Sequence, residues 1–210
     1  MISLLPRRAW AAAVLAVLLL CGCSALKRFA YEGFGRDGWQ KPEEVVAALG
    51  LRAGDRVADI GSGSGYFTLR LARAVGPSGK VYAVDIDREM NAALAERARE
   101  AGLANVEIID ARVDDSLLPA SSVDLLFVSD AYHHIADRVP YFRNAAKTLR
   151  PGGRLAVIDF DGRGWFERFI GHITPPETIK REMQEAGYRL PHEFAFLERQ
   201  AFLVFSAPTR

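Results

Sequence analysis

Residues Val57, Ala58, Asp59 and Ile60 form an apolar run that contains one carboxylate, and glycines at 61, 63 and 65 follow at once. Alternating glycines permit positive φ and let a ligand approach bare backbone. Thr68, Leu69, Leu71, Ala72 and Val75 then continue at helical spacing. The chain is therefore committed to strand, tight turn and helix, the unit from which parallel sheets with helical crossovers are built. Such a turn suits a nucleoside-bearing ligand. A dinucleotide fingerprint of the form G-x-G-x-x-G would need a third glycine at position 66 for close packing behind a pyrophosphate, and Tyr66 stands there, which disfavours NAD.

The rest of the chain repeats the alternation. Expected strands cover 55–60, 81–85, 105–109, 123–128 and 154–160, with helices over 65–75, 88–101 and 137–149 between them. The 123–128 run is almost wholly apolar, as in a central parallel strand covered on both faces. Residues 42–50 and 176–186 each open on proline and are closed by a glycine, Gly50 and Gly187, which predicts two further helices. Two late strands, 194–197 and 201–205, lie three residues apart, and so short a link predicts an antiparallel hairpin.

At 210 residues, half of them hydrophobic, the chain suits one well-buried domain. Its beginning differs from the rest. Arg7 and Arg8 precede the uncharged residues 9–20, and Cys21, Gly22, Cys23 and Ser24 follow. This resembles a bacterial lipoprotein signal, cut after residue 22 and acylated on Cys23, although Cys21 departs from the usual pattern. The other reading is an uncleaved anchor of 18 uncharged residues, 9–26, marginal against the ~20 that span a bilayer. Either one gives a membrane tether, with an exported, periplasmic-side location; a leader that does not function would leave the protein cytoplasmic. The expected division is a leader over 1–22, a tether and lid segment over 23–41, and a domain over 42–210.

Removing residues 1–22 takes Arg7 and Arg8 from 27 basic residues and leaves 25 against 26 acidic ones. That balance gives no nucleic-acid footprint. Both cysteines of the chain lie in the leader, so the domain is expected to hold no disulfide, thiolate metal site or cysteine nucleophile.

Asp59, Gly61, Gly63 and Gly65, followed by Asp85 closing the second strand, Asp110 closing the third, and the 123–134 and 149–159 segments, resemble the ordered motifs of class I S-adenosylmethionine-dependent methyltransferases. The resemblance covers roughly residues 42–160. It implies a Rossmann-like, doubly wound α/β fold with a mostly parallel seven-stranded sheet ending in an antiparallel hairpin, and S-adenosylmethionine as cofactor. Asp59, Gly61, Ser62, Gly63, Gly65, Ile86 and Ala111 would help to hold it, Asp85 would accept its ribose hydroxyls, Asp110 would bond its adenine amino group, and Ser129 would face its methyl end; Asp59 also reads as a carboxylate that organises the loop by accepting backbone amides. The implied activity is methyl transfer to a small-molecule or lipid-like acceptor. The alternative is a tethered, non-catalytic module that binds a nucleoside on the same fold.

His133 and His134 follow the fourth strand, and open α/β sheets bind ligands beyond the carboxyl ends of their strands. Histidine is the natural base near neutral pH where an acceptor carries a proton. Both are candidate catalytic residues, with a slight preference for His133. No metal is expected, because adjacent residues on extended chain point apart. Tyr31, Phe34 and Trp39, together with Trp165, Phe166 and Phe169, read either as a lid or substrate wall or as aromatics that pack on the domain or rest at a membrane interface.

Overall fold

The computed structural model describes residues 35–163 and 173–208. The leader with its two cysteines, Tyr31 and Phe34, and the Trp165, Phe166 and Phe169 stretch lie outside the described residues. Contacts within the chain set off residues 37–210 as one compact unit.

Two short helices, α1 (Arg36–Gln40) and α2 (Pro42–Ala48), precede the first strand. The alternation then runs β1 (Arg56–Ile60), α3 (Thr68–Val75), β2 (Lys80–Asp85), α4 (Arg88–Glu100), β3 (Val106–Asp110) and β4 (Val123–Ser129). A single 3₁₀ turn over Tyr132–His134 leads into α5 (Arg138–Ala145), and β5 (Leu149–Phe160), α6 (Pro176–Glu185), β6 (Arg189–Phe194) and β7 (Gln200–Ser206) complete the chain. The strands form one sheet in the order β3-β2-β1-β4-β5-β7-β6. β1 to β5 pair in parallel, whereas β7 runs antiparallel to both β5 and β6. This is the expected seven-stranded architecture. The order reverses between β1 and β4, so a crevice opens beyond their carboxyl ends, where such sheets take ligands.

Period-two alternation sends successive side chains to opposite faces. Ala58, Leu126, Val128, Leu155 and Val157 pack with Phe142 of α5 and Ile179 and Met183 of α6. Val57, Val81, Leu125, Phe127, Ala156 and Ile158 pack with Val45 of α2 and Leu71 and Val75 of α3. With both faces covered, the central strands have to read as continuous apolar runs.

Two boundaries differ from the expectation. The first strand of the hairpin is Arg189–Phe194 rather than 194–197. Leu197 is drawn fully into the core, and the Phe196 carbonyl accepts from Lys41 Nζ at 3.0 Å, so this stretch becomes a loop. The polar residues of β6 had concealed a strand because it lies at the sheet edge, where one side meets solvent. β5 also starts early: Leu149 pairs with Val123 before a register shift, so the expected helix stops short of it.

Candidate active site

The glycine turn is pressed between two elements. Gly61 has φ +74°, and a Cβ there would come within 2.3 Å of the Ala131 Cβ; at Gly65, φ +89°, a Cβ would meet Leu94 Cδ1 at 2.0 Å. The glycine that packs against a helix thus stands at 65 rather than at 66. Arg97 of α4 donates to the Ser64 carbonyl at 2.8 Å, and the Gly65 N–H returns to the Ser62 carbonyl at 2.9 Å. Asp59 is 3% exposed and accepts from Thr68 Oγ1 at 2.6 Å, so it ties the strand end to the first residue of α3. This bond is what a carboxylate that organises the loop would make.

Asp85 faces the loop from β2. One of its oxygens accepts the Gly63 N–H at 2.8 Å and the other the Asp87 N–H at 2.9 Å. A carboxylate has about four acceptor sites, so this grip orients Asp85 and leaves capacity for hydroxyl donors. Asn91, buried in α4, donates to the Asp85 carbonyl and to Asp110 Oδ1 at 2.7 Å, which aligns the ends of β2 and β3. The Ala111 N–H donates to the Asp85 carbonyl. Ile86, next to Asp85 in the chain, is 60% exposed, and Val113, three residues past Asp110, is 69% exposed.

The donor set fits a nucleoside cofactor with a charged amino-acid tail. Ser62 Oγ is buried and has no hydrogen-bond partner among the described residues, Asp85 is oriented with acceptor capacity to spare, and Ile86 offers apolar surface for a base. Sequence reasoning selected Ile86 but not Val113. No periodic signal marks a single exposed valine after a strand.

Beyond β4 the two histidines part company. His133 Nδ1 lies 2.7 Å from Asp159 Oδ1, and Asp159 is fully buried in β5, where its carboxylate also accepts from the Phe160 N–H and from Thr174 Oγ1. A carboxylate only accepts, so the hydrogen of this contact sits on Nδ1, and Nε2 is buried. His134 is exposed, its ring centroid 4.1 Å from that of His133. The Asp159 partnership was not legible beforehand, since it depends on the registration of two adjacent strands.

The turn that carries His133 is itself anchored. Tyr132 is fully buried, stacked on Phe142, and donates to Glu182 Oε2 at 2.6 Å; Arg138 makes a two-pronged contact with the same carboxylate at 2.7 and 3.0 Å. Burial, helped by the Glu182 carboxylate, pushes the Tyr132 phenol well above its ordinary range, so it stays a donor. Desolvation works against the Glu182 carboxylate, but hydrogen bonds from Arg138 and Tyr132 prevail and hold it below the usual range.

Helix α1 closes the other side. Asp37 accepts from Tyr66 Oη at 2.6 Å and from Arg70 at 3.2 Å; the Trp39 ring lies 5.6 Å from Phe160; and the Gln40 amide donates to Ser129 Oγ and Asp130 Oδ2, each at 3.0 Å. Ser129, expected at the methyl end of the cofactor, is thus held by a residue 89 positions upstream.

A family model described as a methyltransferase domain matches residues 51–194. The chain belongs to this methyltransferase family. It is 32% identical over 176 residues to the ubiquinone/menaquinone biosynthesis C-methyltransferase UbiE of Vibrio vulnificus (strain YJ016), a match covering 69% of this chain and 68% of that one. It is 34% identical over 117 residues to the protein of the same name from Pasteurella multocida (strain Pm70), covering 55% of this chain and 44% of that one; the matched stretch spans less than half the length of that relative. A solved S-adenosylmethionine-dependent methyltransferase from Aquifex aeolicus superimposes with a TM-score of 0.75 at 25% identity, over 85% of this chain and 95% of that one. The cofactor of this methyltransferase is S-adenosylmethionine. A non-catalytic module is not favoured. Among the described residues no group of three or more His, Cys, Asp or Glu is placed to hold a metal ion, and no helix is long and apolar enough to cross a membrane.

Proposed function

We propose that this methyltransferase methylates a ring carbon of a hydroxylated aromatic acceptor, small or lipid-like, of the quinol class. His133 acts as the base. The observation that carries the reading is the His133–Asp159 pair, which lies just past Ala131, the residue packed on Gly61 of the cofactor loop. A base oriented by a fully buried carboxylate has work only where the acceptor carries a proton.

When bound, S-adenosylmethionine supplies an electrophilic methyl group on a sulfonium. Gly61, Ser62, Gly63 and Gly65 would hold its amino-acid end, Asp85 its ribose, and Ile86, Asp110 and Ala111 its base, with Asp59 and Asn91 shaping that cradle. Nε2 of His133 takes the proton of an acceptor hydroxyl, which sends the electron pair into the ring and makes a carbon nucleophilic; once methylated, that carbon loses its hydrogen as a proton to water, and the oxygen takes back the proton held by His133, which restores the aromatic ring. Asp159 keeps Nδ1 as the protonated nitrogen and stabilises the imidazolium that results. α1 and Phe160 shield that side from water, which strengthens each of these interactions. That the UbiE relatives are C-methyltransferases supports carbon as the methylated atom.

We further propose that residues 1–22 are a cleaved leader, that Cys23 carries the lipid, that 23–41 tether and cover the domain at 42–210, and that the protein works at a membrane surface on the exported side, where a lipid-like quinol is at hand. Palmitate labelling lost in Cys23→Ser tests that placement.

The activity test uses the full chain in mild detergent, methyl-labelled S-adenosylmethionine and 1,4-naphthohydroquinone without oxygen. The expected result is label on a ring carbon, lost in His133→Asn. Label on oxygen, or equal transfer by the variant, would contradict the reading.

A further inference from the structure

Asp130, the first residue after β4 on the way to the His133 turn, has φ +55°, a left-handed backbone that is uncommon outside glycine, although aspartate tolerates it better than most side chains. Three restraints act here. The Asp130 N–H donates to the Ile158 carbonyl at 3.0 Å, its Oδ2 accepts from Gln40, and its Oδ1 accepts from Gln200. The two glutamines come from 90 positions upstream and 70 downstream.

Both glutamines are buried, Gln40 fully and Gln200 to 1% exposure. Burying an amide is unfavourable unless its polar atoms are satisfied. Gln200 Oε1 is buried with no hydrogen-bond partner among the described residues, so an apolar side chain would suit simple packing there better. What the amide does supply is a donor aimed at Asp130.

The residues after Asp130 have no slack. Ala131 abuts Gly61, Tyr132 is locked to Glu182, and His133 meets Asp159. The φ of Asp130 sets the direction in which the chain leaves β4, and so whether these three contacts form together.

We propose that Gln40 and Gln200 are positioning residues for methyl transfer: gripping Asp130 from two sides, they hold it left-handed and thereby seat His133 on Asp159. The consequence for catalysis rests on His133 acting as the base. The N-terminal helix is then part of the reaction machinery through its last residue, and no longer only a cover.

The test does not depend on the acceptor. The chain has four histidines, which makes ¹⁵N-histidine spectra of the full chain in detergent assignable. In the native protein the His133 Nδ1–H is expected as a slowly exchanging downfield signal. In Gln40→Leu and in Gln200→Leu that signal should broaden or vanish, turnover on 1,4-naphthohydroquinone should fall about tenfold, and the calorimetric Kd for S-adenosylmethionine should stay within about twofold. Adding Asp130→Gly to Gln40→Leu should restore the signal, because glycine takes positive φ without a clamp. An unchanged signal in both leucine variants, or no restoration by glycine, would overturn the proposal. Full turnover by His133→Asn would overturn the base role instead, with the signal experiment still reading the clamp separately.

Discussion

The two halves of the site are built differently. On the β1–β3 side each residue follows its own strand: Gly61 and Gly63 after β1, Asp85 and Ile86 at the end of β2, Asp110 at the end of β3, with Asp85 and Gly63 only 22 positions apart. On the β4–β5 side the arrangement is assembled from distant segments, with Gln40, Ser129, Asp130, Asp159, Thr174 and Gln200 converging around His133. In the proposed reaction the first half would hold the cofactor, for which short-range chemistry suffices, and the second would fix one base against one acceptor, a precision that has to come from packing across the domain.

If the halves are functionally separate, His133→Asn should cost the most and cost it only in turnover. The expected fall is about 10² to 10⁴-fold, roughly 3 to 5 kcal/mol of barrier, with the cofactor Kd from calorimetry nearly unchanged. Parallel loss of cofactor affinity would mean that the halves are one unit.

The seam between them is Gly61 against Ala131. Gly61→Ala should destabilise the fold by about 2 to 3 kcal/mol in urea titration, from the Cβ collision and the positive φ together. Pairing it with Ala131→Gly should return the collision part and leave only the backbone part. If the double variant gains nothing, the two halves do not meet where the structure puts them.

The acceptor half should also be the more acid-sensitive one. Glu182 holds Tyr132 and Arg138 with a carboxyl pKa below its unfolded value, so its contribution is present above about pH 4.3 and is lost as pH falls through the lower folded value. The melting temperature should drop across that interval, and Glu182→Gln should flatten the drop while costing about 1 to 2 kcal/mol at neutral pH. An identical acid profile in the variant would remove Glu182 as the cause.

The smallest effect belongs to the cofactor half. Ile86→Ala should weaken S-adenosylmethionine by about 1 kcal/mol, near fivefold, with turnover at saturation untouched. A turnover defect there would blur the division.

The same contrast explains what the sequence revealed. Glycines 61, 63 and 65 and the acids 59, 85 and 110 are readable because each sits at a fixed offset from an apolar run, and those runs also mark where the parallel strands lie. From the sequence Asp159 is an acid at the end of an apolar run; its pairing with His133 depends on β4 and β5 lying side by side. Gln40 and Gln200 carried no signal, since a buried glutamine looks like any surface glutamine until long-range contacts bury it. Asp59 was read as a cofactor ligand or a loop organiser, and its burial against Thr68 is what the second role requires. The edge strand β6 was misplaced for a related reason: polar residues on an edge lack the alternation that marks a half-buried strand.

The account stands or falls on whether the β1–β2 end is a working S-adenosylmethionine site. Calorimetric titration of S-adenosylmethionine into the full chain, native and Asp85→Ala, tests this most directly. Saturable one-to-one binding by the native protein, weakened at least about thirtyfold, or ~2 kcal/mol, in the variant, is the predicted result. Folded native protein that takes up no S-adenosylmethionine, or an Asp85→Ala variant that binds it as well as the native chain, would contradict the account.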